Sequence, residues 1–262
     1  MTMRKDVVCL KVGGSVITKK EVEDFPLKID EIRKRALEFI KLQVVKRVAD
    51  EIKSTLNKIN LPILVLGVGP FGHYLVKKGL ENRKIHASVF IFAKVMERAL
   101  KKFGIECRYI ERFSPFHSVR FEGEKPVFER LKEMKDFKGT LLLTGDVTRD
   151  GKIVSGDILL SKLSIEFQAN RAVAATDVDG LFTKDPKKHE DAKLLRRIKP
   201  NQPIMISKLK DEYDVTGRLP AKIIRLQEAA KHGIKCYVVN ALVKNRLRKA
   251  LLGRKVYGTI IY

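Results

Sequence analysis

Val7-Val8-Cys9-Leu10-Lys11-Val12-Gly13-Gly14-Ser15 is a β-rich run that ends on two glycines. Residues 7–12 read as a strand, because β-branched and apolar side chains follow one another with no helical spacing. The pattern recurs at Ile63-Leu64-Val65-Leu66, which runs into Gly67-Val68-Gly69-Pro70-Phe71-Gly72-His73. Working outward, residues 105–110, 141–143, 171–176, 234–239 and 256–261 read as further strands. Helical periodicity covers 29–56, 89–100 closed by Gly104, 155–169 with Ser155 as cap and Asp157 in the first turn, 221–231 and 242–252. Largely apolar strands that alternate with helices predict an α/β fold, a mostly parallel central sheet with helices on both faces. The regular pattern breaks down over 113–125 and 183–213, which are candidate functional loops. No linker composition splits the chain, so one domain over 1–262 is expected, with two lobes meeting near residue 150 and sharing one sheet.

Composition narrows the function. The 262 residues include 54 Lys and Arg against 31 Asp and Glu, a formal net charge of +23, and 44% of them are apolar. That much apolar material fills a sizeable core and excludes a disordered tail protein. The longest charge-free stretch, 59–76, is interrupted by prolines, glycines and His73, so no membrane-spanning helix is expected. The first apolar run meets glycine too soon for a secretory signal, and the expected compartment is the cytoplasm. Cys9, Cys107 and Cys236 are scattered singly, which suggests neither a disulfide framework nor a thiolate zinc site. The positive surplus fits nucleic acid, an anionic small substrate or a lysine-rich surface. No block of like charge and no aromatic-basic motif favours nucleic acid, which is not the expected partner.

The chemistry concentrates where strands end. Gly13 and Gly14 let the backbone turn sharply and aim bare N–H groups at an anion, and Lys11 supplies a positive charge beside them. The eight-residue spacing of a Walker A loop is absent. Gly67, Gly69 and Gly72 satisfy G-x-G-x-x-G, but a dinucleotide site needs an acid near the end of the next strand, and the acid at that distance, Glu97, lies within a helix. A second phosphate cradle with His73 at its rim is the more economical reading, and a plain strand-ending turn is the alternative. Thr144-Gly145-Asp146, Ser155-Gly156-Asp157, Ala175-Thr176-Asp177-Val178-Asp179-Gly180 and Asp214-Val215-Thr216-Gly217, the last before Lys222, put small residues and acids at further element ends. Asp157 either serves the helix terminus or holds two phosphate-binding lysines apart.

In this order the segments resemble the amino acid kinase superfamily and, within it, its archaeal isopentenyl phosphate kinase branch, marked by Phe71-Gly72-His73. The resemblance runs from Lys11 to Lys222. It implies that Lys11, Gly13, Gly14 and Ser15 hold ATP phosphates, that Lys20 stabilises the transition state, and that His73 binds the acceptor phosphate. By the same match Gly67, Val68, Gly69 and Gly156 shape the phosphate sites, and Asp157 organises the lysines. Asp177, Asp179 and Gly180 match the nucleotide loop, and Gly217 with Lys222 the loop that reaches the β and γ phosphates. Val68, Pro70, Thr144 and Arg218 depart from the branch's usual residues. The expected activity is ATP- and Mg2+-dependent phosphorylation of isopentenyl phosphate to the diphosphate, the alternative a relative acting on another phosphate or a phosphonate such as fosfomycin. A homodimer is expected through 29–56, with acceptor binding in the lobe 1–150 and nucleotide binding in 151–262. The acceptor's apolar tail is expected among Val89, Phe92, Ala93, Met96 and the loop 113–116.

Overall fold

A computed structural model describes residues 5–19, 22–184, 186, 189–203 and 218–262, with side chains in the last stretch from 222 onward. Twelve strands are present among these: β1 (Asp6–Val12), β2 (Ile59–Leu66), β3 (Cys107–Tyr109), β4 (Val119–Glu122), β5 (Lys125–Phe128), β6 (Thr140–Thr144), β7 (Asp146–Val147), β8 (Ile153–Val154), β9 (Arg171–Thr176), β10 (Arg197–Ile198), β11 (Lys235–Asn240) and β12 (Thr259–Ile261). Ten α-helices accompany them: α1 (Gly14–Ile17), α2 (Ile29–Arg35), α3 (Leu42–Lys53), α4 (Pro70–Lys77), α5 (Asn82–Lys102), α6 (Pro115–Ser118), α7 (Leu131–Asp136), α8 (Gly156–Glu166), α9 (Arg218–Lys231) and α10 (Arg246–Leu251).

Eight strands form the central sheet in the order β10-β12-β11-β9-β1-β2-β6-β3. Every neighbouring pair is parallel except β11 with β12. The expected mostly parallel sheet with helices on both faces is therefore present. Side-chain alternation divides its interior into two cores. Val8, Leu10 and Val12 of β1 join Leu64, Leu66, Val173 and Tyr237 on one face, beneath α3, α5 and α10. Cys9 joins Ile63, Val65, Ala172, Ala174 and Cys236 on the other, beneath α8 and α9. All three cysteines are buried free thiols.

Some expected boundaries move. The helical stretch 29–56 is not one helix: α2 passes into a 3-10 turn at Ala36–Phe39, and α3 begins only at Leu42. Lys41 donates its N–H to Ile17 O at 2.8 Å and Ile40 bridges Thr18, so pairing with the segment after α1 breaks the helix. The periodicity is that of two amphipathic pieces facing one core. The stretch 113–125 is not a plain loop either; it carries α6 and the strand β4, which is paired with β5. The stretch 105–110 contains the expected strand, as β3, whereas the two-residue strands β7, β8 and β10 escape notice because two residues carry no period.

α3 also clamps the far end of the chain. Arg47 donates to Ala241 O at 2.7 Å and to Leu242 O. Glu51, buried at 8% exposure, accepts from the backbone N–H groups of Asn245 and Arg248, each at 2.9 Å, at the start of α10. Asn245 adopts a left-handed conformation there (φ 67°), which turns its N–H toward the carboxylate. Removing this acceptor leaves two amides without a partner. Glu51→Ala is expected to lower unfolding free energy by about 3 kcal/mol, read as a fall in denaturant midpoint at unchanged m-value.

Candidate active site

Lys11 is the second-to-last residue of β1, in register with Val65 on one side and Ala174 on the other. Its parity is that of Cys9, so its side chain leaves the sheet toward α8. There its Nζ donates to Asp157 Oδ1 at 2.7 Å. Asp157 lies in the first turn of α8, and Ser155 caps that helix by accepting from the Ile158 N–H at 3.3 Å. Lys222, in α9, donates its Nζ to both oxygens of the same carboxylate, at 2.8 and 2.9 Å. One acid thus separates two ammonium groups from segments far apart in the chain.

Electrostatics follow from that geometry. Burial opposes ionisation of Asp157, but the charges of Lys11 and Lys222 outweigh it and hold the carboxyl well below the ordinary range. Burial pulls the Lys11 ammonium down to about 8, Asp157 pulling it up and Lys222 pushing it down further. Two cations share one anion, so the triad keeps a net positive charge suited to a phosphate. Gly156 makes the arrangement possible. A Cβ there would stand 3.2 Å from Lys11 Cε and 3.3 Å from Val65 Cγ1, so the lysine stem passes where any larger residue would press. Gly156 accordingly shapes the site through Lys11.

The two glycine turns meet backbone to backbone. A Cβ on Gly14 would fall 2.7 Å from Gly69 N, and one on Gly67 2.2 Å from Gly14 N. Gly69 has φ +53°, and its added Cβ would lie 2.0 Å from Thr18 Oγ1. The glycines therefore bring the ends of β1 and β2 into contact and leave the starts of α1 and α4 side by side. Ser15 ties this pair to the next strand end, its Oγ donating to Asp177 Oδ1 at 2.7 Å. Lys41 adds a cation that no local pattern in the sequence announces, donating to Ser15 O at 3.1 Å. It arrives there through the break between the 3-10 turn and α3.

The other expected residues fall as follows. His73 sits in α4 and is exposed, four residues after the Gly69 that caps that helix. Val68 is buried at 6% exposure within the core, and a Cβ on Gly72 would meet its Cγ2 at 2.5 Å. Val68 can thus offer a ligand only its backbone, since its side chain belongs to the interior. Asp179 accepts from Asn240 Nδ2 at 2.9 Å and from Arg246, at the end of β11 and the start of α10. Gly180 packs on β12, where a Cβ would meet Thr259 Oγ1 at 2.6 Å. Gly13 donates its N–H to Ala175 O at 2.8 Å, linking the first turn to β9. Lys20 and Gly217 lie outside the described residues, as does the turn 214–217. Val89, Phe92, Ala93 and Met96 are all within 1% of full burial, and Phe92 packs on Phe71 at 5.0 Å between ring centroids. These four pack into the core of this structure.

Known proteins align with this arrangement along nearly its whole length. The sequence profile of the amino acid kinase family matches residues 6–240. An isopentenyl phosphate kinase of Methanothermobacter thermautotrophicus is 28% identical, the alignment covering 97% of this chain and 98% of the relative. That of Methanocaldococcus jannaschii is 31% identical over 96% and 97%. A crystal structure of an isopentenyl phosphate kinase superposes with a TM-score of 0.77 at 25% identity, over 97% of this chain and all of the other. With two glycine turns in contact beside a lysine-aspartate-lysine bridge, and with matches that run nearly from end to end, the chain belongs to the amino acid kinase family.

Proposed function

We propose that this protein transfers the γ-phosphoryl group of ATP to isopentenyl phosphate, giving isopentenyl diphosphate and ADP. The observation that carries the reading is the Asp157 bridge: one carboxylate holds Lys11 and Lys222 as a spaced pair of cations beside two glycine turns. The full-length likeness to isopentenyl phosphate kinases supports the choice of acceptor.

The chemistry needs charge neutralisation more than it needs a base. A phosphate monoester is largely ionised near neutral pH, so its oxygen can attack the γ-phosphorus directly while the bond to the ADP oxygen breaks. The difficulty is that two anions must approach one another. Lys11 and Lys222 offset that repulsion, and the backbone N–H groups around Gly14 and Gly69 orient the phosphates in line. Lys20 and Gly217 belong to the same proposal by their match to the family. Mg2+ would neutralise further charge on the nucleotide. Both Asp157 oxygens already accept from lysines, so the metal fits this site through phosphate oxygens rather than through that carboxylate. His73 positions the acceptor phosphate, and Asp177 and Asp179 hold the strand end that faces the nucleotide.

The same proposal assigns the acceptor to the lobe 1–150 and the nucleotide to 151–262. It places the enzyme in the cytoplasm, where ATP is supplied, as a homodimer. Exposed Leu37 (56%) and Leu42 (36%), around the start of α3, support pairing through that region, and light scattering in solution should return twice the chain mass.

Incubating the protein with ATP and Mg2+ against isopentenyl phosphate, dimethylallyl phosphate and fosfomycin is expected to release ADP fastest with isopentenyl phosphate. Preference for fosfomycin, or turnover with none, would reject the assignment. His73→Ala should lower kcat on the order of 100-fold at an unchanged melting temperature, because the residue is exposed. A further expectation concerns pH. Catalysis needs Lys11 as the cation, and that form is lost as pH rises through about 8 in the free enzyme. kcat/KM for ATP should therefore fall above about pH 8, whereas kcat should hold to higher pH, since bound phosphate raises the lysine's pKa. Identical alkaline limbs in both profiles would contradict the role given to Lys11.

A further inference from the structure

A second polar cluster shares no residue with the lysine bridge, and the phosphoryl transfer proposed above makes no use of it. His86, in the first turns of α5, is buried at 7% exposure. Its Nδ1 stands 2.7 Å from Asp146 Oδ2, and the Asp146 side chain is completely buried. Asp146 also accepts the Val147 N–H at 2.8 Å. The ring of Phe116 stacks on His86 at 4.3 Å between centroids and 8° between planes. A buried carboxylate therefore fixes the proton on Nδ1, and a stacked ring fixes the plane. The Nε2 of His86 is left aimed at Glu111 Oε1, 3.4 Å away. His117 Nε2 approaches the same carboxylate from α6 at 3.7 Å. All three ligand atoms lie within 4.8 Å of one another.

We infer that His86, Glu111 and His117 form a binding site for one divalent transition-metal ion, zinc by preference. Four ligands at about 2.0–2.1 Å in a tetrahedron stand about 3.4 Å apart; the two spacings to Glu111, 3.4 and 3.7 Å, are close to that, and the remaining pair, within 4.8 Å, closes by a turn of the part-exposed His117 side chain. Two imidazoles and one carboxylate suit zinc or cobalt, whereas magnesium prefers oxygen ligands, so this site is distinct from the metal that accompanies a nucleotide. The Asp146-His86 bond is a second, independent observation. A ligating histidine commonly gives its other N–H to a carboxylate, which sets the tautomer and strengthens the ligand. A cavity of about 330 Å³, whose lining includes Phe116, His117, Arg149 and Asp150, adjoins His117 and can supply a water as the fourth ligand. Arg149 donates to His117 Nδ1 at 3.3 Å. Binding through Nε2 moves the imidazole proton to Nδ1, and the exposed guanidinium then turns to solvent. The ion would fasten the start of α5 to the segment 111–118.

The test uses the purified full-length chain, stripped with a chelator that is then dialysed away. Titration with Zn2+ alone should give one saturable equivalent per chain, and Co2+ should give the visible absorption of a four-coordinate site. The buried cysteines Cys9, Cys107 and Cys236 do not compete for the ion. Zinc at a hundredfold excess over its Kd should raise the melting temperature by roughly 5 °C or more. His117→Ala and Glu111→Gln, both at accessible ligands, should weaken binding at least tenfold. Asp146→Asn should weaken it about 10- to 100-fold through His86 alone. Both ligand variants should melt at the wild-type temperature in the absence of metal, which separates lost binding from lost folding. The inference is overturned if no stoichiometric binding is found, or if His117→Ala and Glu111→Gln bind zinc as tightly as the parent. Both results are read from metal binding and melting, independently of whether the kinase assay succeeds.

Discussion

A part-buried carboxylate held between two ammonium groups at the C-terminal edge of the sheet is the constraint on which the rest of the site depends. Asp157 is costly to bury alone, and so are Lys11 and Lys222. Together they pair with good geometry and leave one positive charge in excess. Breaking such a buried pair by removing one partner commonly costs about 3–5 kcal/mol, because it strands the other charge. The arrangement therefore fixes β1, α8 and α9 relative to one another as firmly as it presents cations to an anion. The absence of a side chain at Gly156 and the contact between the two glycine turns are the steric conditions for it.

Parity along one strand separates this charge from the core. Leu10 and Val12 turn toward α3 and α5, while Lys11 between them turns toward α8. The charged group thus sits at the end of a layer of Cys9, Val65 and Ala174, where water can still reach it. Parallel strands all end on this side, so their turns and the following helix N-termini gather there, and their amide dipoles favour a bound anion. One βαβ architecture supplies both the bare N–H groups and the lysines.

Support for the site reaches it from the chain's two ends. α3 holds the start of α10 through Glu51, and α10 supplies Arg246, which binds Asp179 beside Asn240. The strand end that carries Asp177 and Asp179 is thereby braced by a helix more than 120 residues away in sequence. Elsewhere in the fold, Asp146, the first residue of β7, anchors His86 of α5. Both braces work the same way: a buried carboxylate accepts from donors on a different element, so packing and polar satisfaction select the same arrangement.

The sequence by itself determined the sheet's character and the location of its chemistry. Strand interiors such as 172–175 are apolar without alternation and can be stable only when covered on both faces, and glycines after 7–12 and 63–66 mark where the backbone must turn closely. Lys11 and Asp157 could be singled out because they stand beside such turns, although the sequence left open whether Asp157 serves only its helix terminus. Local pattern was silent wherever a partner is remote. The break of 29–56 at Ile40 comes from pairing with Thr18, Lys41 reaches Ser15 through that break, and Glu51 looks like any helix glutamate until residues 245–248 fold onto it. Val68 looked available within its turn and proved to be core, and nothing tied Asp146, an acid at a strand end, to His86 sixty positions before it. Only the tertiary structure decided these, because a hydrogen bond or an ion pair depends on distance in space, and the sequence records only distance along the chain.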